Sequence, residues 1–172
     1  MEILNSTLDD VTTILKLYDA ARSLQKAKLE NGAVVWPEFD ETFIAKEINT
    51  KSQWKMLIDG EVACVWMTTF SDPQIWEDRN TDPAVYIHRI ATNPAFRGRN
   101  LVAEIVAWSK QYAAQNHKKY VRLDTVGENH GLVAYYQKSG FDFLGFFNLK
   151  DTVGLPAHYN QGPACLFEIV LD

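Results

Sequence analysis

Apolar residues recur along this chain at two periods, and the changes between them mark out its elements. Residues 2–5 form a short β-like run. Val11, Ile14, Leu15 and Tyr18 follow at helical spacing, which predicts a first helix from a cap at Ser6 and Asp9 to about residue 28. Phe43, Ile44 and Ile48 share one side of a second helix over 40–50. Residues 54–58 and 61–70 read as strands joined by Asp59-Gly60, a strong hairpin dipeptide. The polar stretch 71–83 holds two prolines and reads as a loop. Val85 to Thr92 is the next strand. Leu101, Ile105, Trp108 and Tyr112 mark the buried face of a long helix over 99–115. A strand over 120–126 and a short helix over 129–138, ended by Gly140, come next. Strands at 141–148 and 164–171, joined by a loop over 150–163, complete the order. Strand and helix alternate from 85 to 148, which predicts two consecutive right-handed βαβ crossovers after an antiparallel group. The fold class expected is α/β (α+β): one domain over 1–172, a single mixed central sheet of about seven strands with helices on both faces.

Composition narrows the classes of function. Hydrophobic residues make up 47% of the 172 positions, enough for a core without disulfides or a structural metal. Cys64 and Cys165 lie in apolar stretches with no paired neighbour, so both are expected to be buried, reduced thiols. There are 17 Lys and Arg against 22 Asp and Glu, a net charge of −5, which argues against a nucleic-acid partner. The longest apolar run, Val62 to Met67, is far too short to span a bilayer, so no membrane partner is expected. The N-terminal segment is acidic and lacks the basic and apolar regions of a secretion signal, so a cytoplasmic location is expected.

The chemistry concentrates after Thr92. Pro94 breaks the strand, and Arg97, Gly98 and Arg99 lead directly into a helix. Free N–H groups at the helix start, with two arginines before it, suit a pyrophosphate; a solvated structural turn accounts for the same residues. No two His, Cys or carboxylate positions have a convincing ligand spacing, so no metal is expected.

Taken with residues 129–141, this segment resembles the GNAT superfamily of acyl-CoA-dependent N-acyltransferases. The matching residues are Pro94, Arg97, Asn129, Tyr136, Lys138, Gly140 and Phe141, and the order of elements agrees along nearly the whole chain. Asn100 and Val102 stand where the family pattern R/Q-x-x-G-x-G/A carries small residues. The resemblance implies acetyl-CoA as co-substrate and a primary amine of a small molecule or peptide as acceptor. It assigns Ile90, Ala91 and Thr92 to the pantetheine arm. It gives Arg97, Gly98, Arg99, Asn100, Leu101, Val102 and Ala103 to the pyrophosphate, and Asn129 to the coenzyme near its thiol end. A main-chain N–H near Ile90 or Ala91 would polarise the thioester carbonyl. Tyr136 matches the family's general acid. Tyr135, one step round the helix, faces elsewhere and is expected in the core.

Two candidates for the base stay open. Asp124 stands where some family members that modify protein N-termini carry a glutamate. His88 lies on the strand leading to the thioester, where strict alternation gives it the same face as Tyr86 and Ile90. Ala84 occupies the approximate position of a strand glutamate used by other members. The acceptor pocket is expected from residues 32–39, 71–83 and 150–163, which hold Trp36, Trp76, His158, Tyr159 and the carboxylates Glu38, Asp72, Glu77, Asp78 and Asp82. The resemblance also implies a homodimer as one assembly to test. It leaves a second reading open, a non-catalytic acyl-CoA sensor of the same fold.

Overall fold

Seven strands make one mixed sheet in the order β1-β2-β3-β4-β5-β7-β6, seen in a computed structural model that describes residues 1–171. The strands are β1 (Glu2–Asn5), β2 (Gln53–Ile58), β3 (Glu61–Thr69), β4 (Ala84–Thr92), β5 (Tyr120–Val126), β6 (Asp142–Phe147) and β7 (Ala164–Val170). The helices are α1 (Val11–Lys26), α2 (Glu41–Asn49), the single turn α3 (Pro73–Trp76), α4 (Leu101–Gln115) and α5 (His130–Lys138). β4 and β5 run parallel, and every other neighbouring pair is antiparallel. α1 and α2 pack Ile14, Leu17, Tyr18, Ile44 and Ile48 against one face. α4 and α5 pack Leu101, Ile105 and Val133 against the other. The expected fold class is therefore the one observed.

Local chemistry explains the boundaries. Asp59 and Gly60 both take positive φ, 53° and 83°, the backbone that a two-residue hairpin turn requires. Asp40 caps α2 by accepting from the Phe43 N–H at 2.8 Å. The first cap lies one residue later than the sequence suggested. Thr7 and Asp10 form the capping box, because the Ser6 N–H is already committed to the Gln53 carbonyl at 2.9 Å. The stretch 71–83 is also more ordered than the expected loop, folding into α3 and a 3-10 turn over Glu77–Thr81. Arg122 on β5 anchors it, reaching the Arg79 carbonyl at 2.6 Å and Asp82 at 2.6 Å while also holding Glu168 on β7. The guanidinium sits over the Trp76 and Tyr120 rings, 4.7 and 4.6 Å from their centroids.

Two departures decide where the site lies. The second crossover skips a position, because β7 inserts antiparallel between β5 and β6. β4 also carries a bulge that strict alternation missed. Against β3, Val65 pairs with Ala91 and Met67 with His88, so β4 has one extra residue, and Arg89 takes φ 52°. The face assignment reverses beyond it. His88 keeps the side of Tyr86, while Ile90 packs with Ile87 and Leu101 in the opposite cluster.

Candidate active site

β4 and β5 pair only from Ala84 to Ile87 against Tyr120 to Leu123, and then diverge. The edge of His88 to Thr92 that faces β5 has no strand partner. The opening widens into a cavity of about 770 Å³ lined from both sides of the sheet. No helix among the described residues is long and apolar enough to cross a membrane.

On the α1–α2 side of the opening, three titratable groups meet. His88 lies between two carboxylates, with Nε2 3.3 Å from Asp72 Oδ2 and Nδ1 3.4 Å from Asp124 Oδ1. Asp124 faces this way because it pairs in register with Leu166 of β7, whose side chain belongs to the same cluster. Tyr159 donates to Asp124 Oδ2 at 2.7 Å. Burial raises the Asp124 carboxyl to about 6, against the opposing influence of His88 and the Tyr159 hydroxyl. Burial also works against charge on His88, but Asp72 and Asp124 outweigh it and hold the imidazole above its ordinary value. His158 beside them is driven down to about 4, by burial first and then by Arg89 and His88, so it stays neutral.

One donor atom from each of Asp72, His88 and Asp124 lies within 4.8 Å of the others, close enough to share an ion. Their spacing along the chain concealed this, since the three come from a loop and two different strands.

On the α4–α5 side lies the turn after β4. Asn93 stabilises it by accepting from the Ala95 N–H at 3.0 Å. Gly98 has φ 81° and Asn100, the residue before α4, has φ 55° and ψ 38°. Asn adopts that left-handed conformation more readily than other side-chain-bearing residues, so it serves where the pattern carries Gly. Asn100 makes no side-chain cap, and the first N–H groups of α4 point out of the helix without one. Val102 is buried in the cluster with Ile105 and Leu123 and also borders the cavity. Arg97, Gly98, Arg99 and Asn100 are exposed, and Arg99 lies over Phe96 at 5.0 Å. Asn129 accepts from the Leu132 N–H at 3.0 Å to cap α5, and its Nδ2 makes no protein hydrogen bond.

Tyr136 extends from α5 beside this turn. Its ring packs against Phe167 and Phe141, with centroids 5.2 and 6.0 Å apart. The residue borders the cavity, and its hydroxyl has no hydrogen-bond partner among the described residues. Burial raises its pKa well above the ordinary phenol value, so the hydroxyl keeps its proton. Tyr135 is 41% exposed, not in the core as expected, because α5 is short and presents that side to solvent.

The loop candidates divide. Trp36, Asp72, His158 and Tyr159 line the cavity. Trp76 is buried under Arg122, Asp82 pairs with Arg122, Glu77 with Lys150, and Glu38 with Arg22. Sequence reasoning did not single out Asp72 as the partner of His88 or Tyr159 as the partner of Asp124. No local pattern carries either pairing, because each spans separate loops and strands. It also missed Arg89, a buried cation paired with Glu47 and flanked by the Phe39 and Phe43 rings at 5.4 and 5.0 Å. Cys64 and Cys165 are buried and free, as expected.

This fold recurs in solved structures of acetyltransferases. An acetyltransferase of the GNAT family from Listeria monocytogenes 4b F2365 has a TM-score of 0.75 with it, at 22% identity, covering 99% of this chain and 94% of that one. The protein yncA from Salmonella typhimurium, solved with its cofactor acetyl-CoA, has a TM-score of 0.68 at 13% identity, covering 100% of this chain and 94% of that one. In sequence, the chain is 30% identical over 74 residues to the N-acetyltransferase YesJ of Bacillus subtilis (strain 168), whose activity is uncharacterised. That match covers 43% of this chain and 41% of YesJ, under two thirds of that relative's length. Residues 19–141 match the Acetyltransferase (GNAT) family, and the protein belongs to it.

Proposed function

We propose that this protein transfers an acetyl group from acetyl-CoA to a primary amine by direct attack, with no covalent enzyme intermediate. The observation that carries the proposal is the splay of β4 from β5. It brings the bare turn before α4 and Tyr136 together with the Asp72–His88–Asp124 cluster across one opening.

The residues present fit the coenzyme. The outward N–H groups at the start of α4, with Arg97 and Arg99 beside them, suit a pyrophosphate. Ile90, Ala91 and Thr92 offer an unpaired main-chain edge to a pantetheine arm, and Asn129 offers its free Nδ2. Arg97, Gly98, Arg99 and Asn100 are exposed, so the turn is accessible, which favours coenzyme binding over an obstructed loop. Bound there, acetyl-CoA supplies an activated acyl carbon on a thiolate leaving group.

The chain's own groups then divide the work. Asp72 and Asp124 attract the ammonium form of the acceptor. The Asp124–His88 pair takes its proton, and a carboxyl near 6 beside an imidazole is suited to that at neutral pH. An N–H of Ile90 or Ala91 stabilises charge developing on the thioester oxygen. Tyr136 donates its proton to sulfur as the C–S bond breaks. The amine nitrogen gains the acetyl group and releases its second proton, which restores the Tyr136 hydroxyl, and CoA leaves as the thiol.

The test is thiol release by the purified protein with acetyl-CoA and a panel of primary amines, with the acetylated product identified by mass. Turnover is expected, with Asp124→Asn and His88→Ala both impaired on the acidic limb of the pH profile. Stabilisation by acetyl-CoA without turnover across the panel would instead support the sensor reading.

A further inference from the structure

We infer that the acceptor is a primary amine on an apolar body with no carboxylate on the adjoining carbon. The inference rests on the transferase reading and concerns the charge that surrounds the acceptor. Outside the turn before α4, the charged or titratable Lys, Arg, His and acidic side chains lining the cavity are Lys28, Asp72, His88, Arg89, Asp124 and His158. Asp72 and Asp124 together outweigh one imidazolium, so the ground around the amine is net negative. Arg89 does not offset it, because its guanidinium is paired with Glu47. Arg89 keeps its Nε–H without a partner, but a substrate carboxylate there would have to share the guanidinium with Glu47, which is buried and already has one carboxylate oxygen, Oε2, unpartnered. His158 is neutral. Lys28 is exposed in the turn after α1.

An α-amino acid would carry its carboxylate within a few ångströms of the ammonium, beside Asp72 and Asp124. Like charges at that separation and low dielectric repel, and the cations lining the cavity outside the turn are Arg89, whose charge Glu47 balances, and Lys28, which is exposed. Leu24, Trp36, Met67, Ile75 and Leu155 form an apolar wall of the cavity, with the uncharged polar Gln25, Thr69 and Ser71 beside them. That wall suits an alkyl or aromatic body.

The experiment compares matched triplets on the full chain with acetyl-CoA. The triplets are phenethylamine, phenylalanine and phenylalaninamide; tryptamine, tryptophan and tryptophanamide; and isoamylamine, leucine and leucinamide. The amine and the amide are expected to exceed the carboxylate at least tenfold in kcat/KM, and Asp72→Asn is expected to narrow that ratio. A carboxylate that matches its amine overturns the inference. So does an amide as poor as the carboxylate, which would make size the cause, or a ratio unmoved by Asp72→Asn. No turnover of any member, with acetyl-CoA still raising Tm, removes the transferase reading itself.

Discussion

Replacing Tyr159 by Phe isolates one hydrogen bond to the proposed base. The ring stays the same size in its packed place, and only the hydroxyl that donates to Asp124 Oδ2 at 2.7 Å is lost. A hydrogen bond to a charged group contributes about 1.5–3 kcal/mol, and one pH unit corresponds to about 1.4 kcal/mol. The hydroxyl favours the ionised carboxylate, so its loss moves the titration upward, from about 6 by roughly one to two pH units. A base that holds its proton to higher pH is idle over a wider range. The acidic limb of kcat/KM is therefore expected to move to roughly pH 7–8, with the rate at pH 7 down by up to about tenfold and the alkaline plateau preserved. The limb belongs to the Asp124–His88 pair jointly, so the displacement, not its absolute position, is the quantity to read. Thiol release measured from pH 5 to pH 9 decides the matter. An acidic limb that stays in place while the plateau falls uniformly would refute the assignment of proton acceptance to this pair.

Tyr136→Phe is expected to lower kcat by about a hundredfold or more, with the acetyl-CoA dissociation constant unchanged by calorimetry; an unaltered kcat removes Tyr136 as the acid. Asn100→Val forces a branched side chain into φ 55° and is expected to lose about 1–2 kcal/mol in urea unfolding and to weaken acetyl-CoA binding. Asn100→Gly should retain both, and equal behaviour of the two variants would refute the role given to that backbone conformation. Arg122→Leu leaves Glu168 and Asp82 without their cation beneath the segment that carries Asp72. A loss of about 3 kcal/mol in unfolding free energy is expected, and a loss below about 1 kcal/mol would show the network to be dispensable.

Most of the scaffold could be read in the sequence because its signals are local. Helical spacing in α1 and α4, the Asp59-Gly60 turn and the alternation of elements after residue 84 each depend on neighbours a few positions apart. The turn before α4 could be read for the same reason, since a helix start, Gly98 and two arginines are adjacent in the chain. The proton-handling cluster was less legible. Asp124 and His88 were identified separately, but their meeting depends on two strands diverging, and Asp72 and Tyr159 reach them from loops whose sequences carry no pairing signal. The insertion of β7 between β5 and β6 was hidden likewise.

The bulge at Arg89 had the largest consequence. A strand read at period two assigns His88 and Ile90 to one face, which would crowd the proposed acid–base pair and the proposed thioester strand together. The extra residue reverses the phase between them. His88 then meets Asp124 on the α1–α2 side, while Ile90 turns toward α4 and the proposed coenzyme turn. Direct transfer needs an amine approaching from one side of the sheet and a thioester presented from the other, with nothing between. A single change of phase in β4, next to the point where β5 departs, produces both conditions.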